Sequence, residues 1–417
     1  MLYERWLETV RADPGAVALW DEAHGRRYTF RDLARRVLEE PVTQSPARFA
    51  TGTGIGFLVS VLAAWRDGQV LVPLDHGQAA PVIRAAPGAG IVHLKTTSAT
   101  SGVGRMVAFT AEQLAADCRN VVATMGLTAA IPNVGAISLA HSYGFSNLVL
   151  PLLLQGIPLM LAGSALPESV RLAIEQAPAV ALPSVPALWR AWFDAGILSP
   201  RIRIAISAGA PLPLALEQEV FDQTGIKIHN FYGASECGGI AYDRTARPRR
   251  EPSAVGTAME GVTLSLDDDG CVVVRSGAVG HGYWPEPAAG LADGVFQSGD
   301  LGQWVDGTLH LRGRASDCIN VAGRKVVPED VERALATHPA VRDCLVFGVP
   351  SGGLRNERIV ACVATRKPVS GRVLTEFLHS RLPAWQVPRD WWMVEALAMN
   401  PRGKRSRAEW RQRYLHK

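Results

Sequence analysis

Ile202-Arg203-Ile204-Ala205-Ile206-Ser207 is a short apolar run, closed by Ala208-Gly209-Ala210-Pro211 and followed by a helical pattern. Val134–Leu139, Pro158–Leu161 and Val180–Leu182 read the same way, each an apolar run followed by helical spacing. From Ala136 to about Phe231, strands and helices therefore alternate, which is the signature of a parallel sheet with crossover helices. Working outward towards the N-terminus, Phe109–Met125 reads as a long helix, and Gly56–Ala64 as a helix before a buried strand, Val70–Leu74. Residues 1–40 read as two amphipathic helices around a short strand, Ala16–Leu19, with Thr29 as N-cap and Asp32 at N3. Towards the C-terminus the texture changes after Tyr242. Val262–Leu266 and Cys271–Arg275 flank Asp267-Asp268-Asp269-Gly270, a strong hairpin signal. With Gly299–Trp304 and Thr308–Arg312 they predict an antiparallel, small barrel-like section. Beyond Arg314 the spacing predicts helix Pro328–Thr337, strands Cys344–Val349 and Ile359–Thr365, and helix Val373–Arg381. The expected fold is α/β: a large N-terminal domain of parallel-sheet layers plus the barrel-like section, and a small mobile α+β C-terminal domain. The Arg- and Lys-rich end, Pro401–Lys417, reads in part as the solvated end of a helix.

Composition narrows the function. At roughly 150 residues per domain, 417 residues make two or three folding units. A net charge of +4 is too small for this length to argue for nucleic acid. The most apolar window, Leu148–Gly163, is broken by Pro151, Gln155, Gly156 and Pro158 and is short of the roughly 20 residues that cross a bilayer. Met1–Trp6 lacks the layout of a secretory signal. Cysteines 118, 237, 271, 318, 344 and 362 form no Cys-x-x-Cys pair, so a cytoplasmic chain without a zinc ribbon is expected.

Five short motifs could carry chemistry. Thr96-Thr97-Ser98-Ala99-Thr100-Ser101-Gly102-Val103-Gly104-Arg105 follows the apolar run Gly90–Leu94. Small hydroxyl residues and Gly let N–H and O–H groups converge on phosphate oxygens. Most such loops are only loops, and this one lacks Walker A spacing. Asn230-Phe231-Tyr232-Gly233-Ala234-Ser235-Glu236 sets an aromatic, a Gly and an acid at a strand end, able to cover a base and hold a metal, or to be a plain turn. In Ser298-Gly299-Asp300, an acid after Gly could accept from both hydroxyls of a ribose, or again be a turn. Gly313-Arg314-Ala315-Ser316-Asp317 stands at a composition boundary, where Arg314 could reach a phosphate or ribose and Asp317 could be a hinge. Asn400-Pro401-Arg402-Gly403-Lys404-Arg405-Ser406-Arg407 puts an ammonium on a Gly-containing loop, suited to developing negative charge.

In this order and spacing the five resemble the AMP-forming acyl-CoA synthetase and adenylate-forming family, along nearly the whole chain. Gly280-His281-Gly282-Tyr283-Trp284 resembles the family's middle section, Ser207–Leu212 its adenine-pocket strand, and His141-Ser142-Tyr143-Gly144-Phe145 its acyl-pocket segment. The resemblance implies a two-step ligase using ATP and Mg²⁺, with CoA or the phosphopantetheine of an acyl carrier protein as thiol. It assigns Lys404 and Glu236 to catalysis, and Glu236 with Thr100 to the metal. Thr97, Ser98, Ala99, Thr100, Ser101, Gly102 and Arg105 would cradle phosphates. Gly209, Ala210, Tyr232, Gly233 and Ser235 would surround the adenine, and Asp300 with Arg314 the ribose. His141, Tyr143 and Gly233 would meet the acid. Asp317 would be the hinge between a 1–316 domain with a shortened first subdomain and a 317–417 lid carrying Lys404.

The chain departs from the family pattern at Ala99, usually Gly, at Gly104-Arg105, usually Pro-Lys, and at Asn320, usually Lys. Only 23 residues separate Leu74 from Ser98, where members usually spend far more. Residues His141–Asn147 contain no carboxylate to hold an amino group, so a plain acyl or aryl acid is expected over an amino acid. An amino-acid adenylating enzyme and a non-catalytic nucleotide-binding relative are the alternatives.

Overall fold

A computed structural model describes residues 1–83, 87–96, 105–352, 356–398 and 406–417. The chain forms two compact units. The first comprises Met1–Ser265, Val273–Ser298 and Val305–Leu309; the second comprises Leu266–Val272, Gly299–Trp304 and His310–Lys417. Among the described residues no helix is long and apolar enough to cross a membrane.

In the first unit, β1 (Val17–Asp21) and β2 (Arg26–Thr29) form an antiparallel pair. The second of these runs into helix Phe30–Glu39 through a capping box: the Thr29 side chain accepts from the Asp32 N–H, and the Asp32 carboxylate accepts from the Thr29 N–H. The next four strands, β3 (Ala47–Thr51), β4 (Val70–Leu74), β5 (Ile91–Thr96) and β6 (Met106–Thr110), build one sheet, parallel from β3 to β5 and antiparallel between β5 and β6. The long helix expected from Phe109 begins at Ala111. Phe109 belongs to β6 instead, because Thr110 and Gln113 close a second capping box that fixes Thr110 as the boundary.

The other sheet holds β7 (Asn133–Gly135), β8 (Leu159–Leu161), β9 (Val180–Ser184), β10 (Ile202–Ser207) and β11 (Ile228–Ala234). Its order is β2-β1-β8-β7-β9-β10-β11, and every pairing from β1 to β11 is parallel. The strand expected over Val134–Leu139 ends at Gly135; beyond it Ser138 folds back to accept from the Ala140 N–H. Helices Pro167–Glu175, Pro186–Asp194 and Leu214–Thr224 cross between strands, and their Val170, Ile174, Trp189, Trp192, Leu216 and Val220 pack in one core with Val180, Leu182 and Ile228. Burial on both faces explains the uninterrupted apolar runs that made these strands legible. Strand β12 (Gly238–Tyr242) then turns antiparallel to β11.

The second unit carries an antiparallel pair, Val341–Pro350 with Glu357–Thr365, extended in parallel by Asp390–Val394. Alternate residues face two cores. Val346, Ala361 and Val363 meet Val331 and Leu335 of helix Pro328–Ala336, with Leu374 and Leu378 of helix Gly371–His379. Leu345, Phe347 and Val360 meet Trp410 of helix Arg407–Leu415. The Asp267–Gly270 turn forms as expected: the Gly270 N–H donates to Asp267 O, and the Asp267 carboxylate accepts from the Asp269 and Cys271 N–H groups.

A buried ionic knot fastens β11 and β12. The Lys227 ammonium donates to Glu217, to Asp243 at 2.6 Å and to Ile228 O, and Arg249 closes on Glu217 at 2.9 Å. Burial alone would raise the Asp243 carboxyl; Lys227 and two bonds from Thr245 outweigh it and hold it below the ordinary range. A depressed carboxyl contributes stability that is complete above the usual carboxylate range and is lost as pH falls from about 4 through its lowered pKa. Asp243→Asn is expected to cost about 3 kcal/mol at neutral pH. It should also flatten the loss of stability between about pH 5 and pH 3. Urea unfolding at a series of pH values checks both; an unchanged acid slope would contradict the assignment.

Candidate active site

In open α/β sheets ligands bind beyond the carboxyl ends of the strands. Pairing of Ser207 with Asn230 aligns β10 and β11, so Gly209-Ala210 and Tyr232-Gly233 leave neighbouring strands at the same edge. Gly209 has φ +82°, a backbone setting that lets the chain leave β10 sharply. Gly209, Ala210 and Gly233 are exposed and Tyr232 is half-buried. The expected adenine-lining residues are thus brought to adjoining strand ends.

Glu236 sits in the turn Ser235–Cys237 that reverses β11 into β12. The turn is tight: a Cβ on Gly233 would come 2.8 Å from the Gly238 carbonyl oxygen. The Glu236 carbonyl accepts from the Gly280 N–H at 2.8 Å, and its carboxylate Oε1 accepts from the Tyr283 hydroxyl at 3.2 Å. Strand β13 (Gly282–Trp284) pairs antiparallel with β6, Tyr283 opposite Val107, which brings the Tyr283 ring under Arg105 just ahead of β6. The guanidinium carbon lies 5.8 Å from the ring centre. Burial, then the Glu236 charge, pushes the Tyr283 phenol up, so it stays protonated and donates. The cation lies over the ring, and the carboxylate meets the hydroxyl at the ring edge. A half-buried carboxylate held by a hydroxyl donor offers hard oxygen, which fits Mg²⁺. Tyr283 was legible only as part of the Gly280–Trp284 resemblance, which gave it no role.

The acid-segment residue His141 places Nε2 3.1 Å from Asp75 Oδ2, and Ser138 donates to the other oxygen, Oδ1. Asp75 directly follows β4, so a carboxylate does reach this segment, from a strand more than sixty residues away in sequence. Tyr143 turns inward, its ring 5.7 Å from Phe231 and its buried hydroxyl beside the Ser184 backbone. Gly144 allows the close approach of the Ser138 carbonyl, 2.0 Å from where a Cβ would stand.

In the second unit Arg314 Nε meets Asp300 Oδ1 at 3.0 Å, joining the two residues expected at the ribose. Asp317 Oδ2 accepts from Arg407 at 3.0 Å, and Arg407 also holds Glu329 and Glu332. Burial alone would depress the guanidinium; the three carboxylates outweigh it and keep it charged. The solvated-end reading of the C-terminal charges therefore fails at Arg407, and Trp410 is buried as well. Thr97, Ser98, Ala99, Thr100, Ser101, Gly102 and Lys404 lie outside the described residues.

Two family models match the chain: AMP-binding enzyme over residues 81–284, and the AMP-binding enzyme C-terminal domain over 330–404. The chain belongs to the AMP-binding enzymes of the AMP-forming acyl-CoA synthetase and adenylate-forming superfamily. It is 28% identical to a feruloyl-CoA synthase of Amycolatopsis sp over 345 residues, covering 77% of this chain and 69% of that one. It is 28% identical to triostin synthetase I of Streptomyces triostinicus over 421 residues, covering 94% and 75%. The fold matches ATP-bound MatB from Rhodopseudomonas palustris with a TM-score of 0.84 at 21% identity, over 100% of both chains.

If Asp300 accepts from ribose hydroxyls, Asp300→Ala should weaken AMP binding by about tenfold or more, the scale of bonds to a charged acceptor. Calorimetric titration with AMP reads this directly, and unchanged affinity would remove Asp300 from the nucleotide site.

Proposed function

We propose that the protein activates a plain acyl or aryl carboxylic acid with ATP and transfers it to a thiol, either CoA or a carrier-bound phosphopantetheine. The observation that supports this best is the Arg105–Tyr283–Glu236 cluster, which joins a cation through one tyrosine to a hydrogen-bonded carboxylate in the turn that follows Tyr232-Gly233. Of the relatives named above, the feruloyl-CoA synthase is an acid–thiol ligase by name.

In the first step a carboxylate oxygen forms a bond to the α-phosphorus, the bond from that phosphorus to the bridging oxygen breaks, and pyrophosphate leaves. In the second, the thiol sulfur attacks the acyl carbon, the acyl–oxygen bond to AMP breaks, and the thiol proton is released. The physical obstacle in the first step is an anion approaching a polyanion, which fixed positive charge offsets. Arg105 and Lys404 would supply that charge. Glu236 and Thr100 would hold Mg²⁺, whose contribution is to neutralise phosphate oxygens. Asp300 and Arg314 would fix the ribose, and Asp317 would be the hinge for the lid.

The acid class rests on the carboxylate-free run His141–Asn147 and on Asp75 being engaged within the chain: its Oδ1 accepts from Ser138 and its Oδ2 lies 3.1 Å from His141 Nε2. That favours an uncharged acyl or aryl tail over an α-amino acid. A cytoplasmic setting suits the six cysteines, all of them free thiols.

ATP–pyrophosphate exchange across fatty, aryl and amino acids tests the reading: exchange with one of the first two sets supports it, exchange confined to amino acids overturns the acid class, and none with any acid would make the chain a nucleotide binder only. The mass of the thioester product separates CoA from a carrier. Lys404→Ala should lower exchange on the order of a hundredfold, the cost of removing a transition-state charge, while still forming thioester from supplied acyl-adenylate. Arg105→Ala should weaken ATP far more than AMP, because only ATP carries the phosphates its charge would meet. Equal losses for both nucleotides would take Arg105 off the phosphates.

A further inference from the structure

Lys95, Asp117 and Ser146 form a buried polar triad that the activity proposed above does not use. The Lys95 side chain is 3% exposed and that of Asp117 1%. The ammonium lies 3.5 Å from Asp117 Oδ2 and 3.3 Å from Ser146 Oγ, and Ser146 donates to the same carboxylate oxygen. The ammonium also stands 4.5 Å from the centre of the Phe109 ring. Below it His93 is fully buried between Phe109 and Phe145, its pKa driven well down by burial and by Lys95, so it brings no second charge.

Each partner belongs to a segment with a proposed role. Lys95 is the penultimate residue of β5, which in sequence leads directly into Thr97–Gly102. Ser146 follows the acid segment His141–Phe145. Asp117, on helix Ala111–Met125, presses its carboxylate against Gly238, where a Cβ would fall 2.0 Å from Oδ1; Gly238 stands two residues beyond Glu236. Stability alone is a poor reason for this pair. Desolvating two charges is expensive, and apolar residues of similar volume commonly replace a buried pair with no loss of stability. In some proteins buried polar groups instead fix the register of the elements that carry them.

We infer that the Lys95–Asp117–Ser146 triad is the positioning element of the nucleotide site, fixing the end of β5 relative to the turn that carries Glu236. Lys95 and Asp117 are positioning residues, acting through the end of β5 and the turn that carries Glu236. The inference rests on the nucleotide-activating reading given above.

The test compares wild type with Lys95→Met, Asp117→Asn, Ser146→Ala and the double variant Lys95→Met/Asp117→Leu, which removes both charges at similar volume. Thermal stability, the KM for ATP and for the acid in pyrophosphate exchange, and calorimetric affinities for Mg·ATP and AMP are measured. Both single charge variants should lose stability and weaken ATP about tenfold or more, near 1.4 kcal/mol, with AMP and acid changed less than about threefold. Ser146→Ala should move ATP in the same direction by less. The double variant should regain stability and keep the ATP defect. If ATP affinity returns together with stability, the triad is only structural and the inference is overturned. If the single variants do not fold, the double variant decides alone. If wild type exchanges with no acid, the function proposed above fails, and Mg·ATP titration still decides the role of the triad.

Discussion

The backbone of Gly233 passes so close to the Gly238 carbonyl that no side chain fits between them. That approach lets β11 be the last parallel strand on one side and the first antiparallel strand on the other. Reversal within three residues carries Glu236 to the turn, leaves Tyr232 at the carboxyl edge, and brings Gly238 against the Asp117 carboxylate. Remove the close approach and these groups no longer share a neighbourhood. The ionic knot of Lys227, Glu217, Asp243 and Arg249 fastens the opposite end of the same hairpin, so both ends of the β11–β12 pair are fixed.

Near this turn the Arg105 guanidinium lies over the Tyr283 ring, and the Tyr283 hydroxyl donates to the Glu236 carboxylate. The ring face favours the cation. The phenol is held protonated by its burial and by the carboxylate it serves. In the second unit Arg314 with Asp300, and Arg407 with three acids, show the other solution, in which guanidinium groups are spent on fixing carboxylates.

What was legible in the sequence was local. The Thr29–Asp32 capping box, the Asp267–Gly270 turn and the apolar strands of the parallel sheet each depend on neighbours within a few positions, and each formed. The start of the long helix was misplaced by two residues because Phe109 suits a buried strand as well as a helix, and the Thr110–Gln113 capping box decides between them. The site's supporting residues were not legible. Asp75 reaches His141 across sixty-six positions and Lys95 reaches Ser146 across fifty-one, distances that no periodicity records. One signal was available: Asp117 interrupts the apolar face made by Leu114, Cys118, Val121 and Met125 on a helix that buries it. A charge on a buried helix face calls for a partner. Arg407 escaped for the opposite reason, since a run of basic residues hides the one that is buried.

In the proposed first step a carboxylate oxygen of the substrate becomes bonded to the α-phosphorus of ATP. An acid that supports exchange, labelled with ¹⁸O in both carboxylate oxygens, is turned over with ATP and thiol, and the nucleotide and phosphate products are weighed by mass spectrometry. Attack at the α-phosphorus followed by thiol displacement leaves one labelled oxygen in AMP and none in pyrophosphate. Label in inorganic phosphate with ADP as the nucleotide product, or unlabelled AMP accompanying the thioester, would contradict the account.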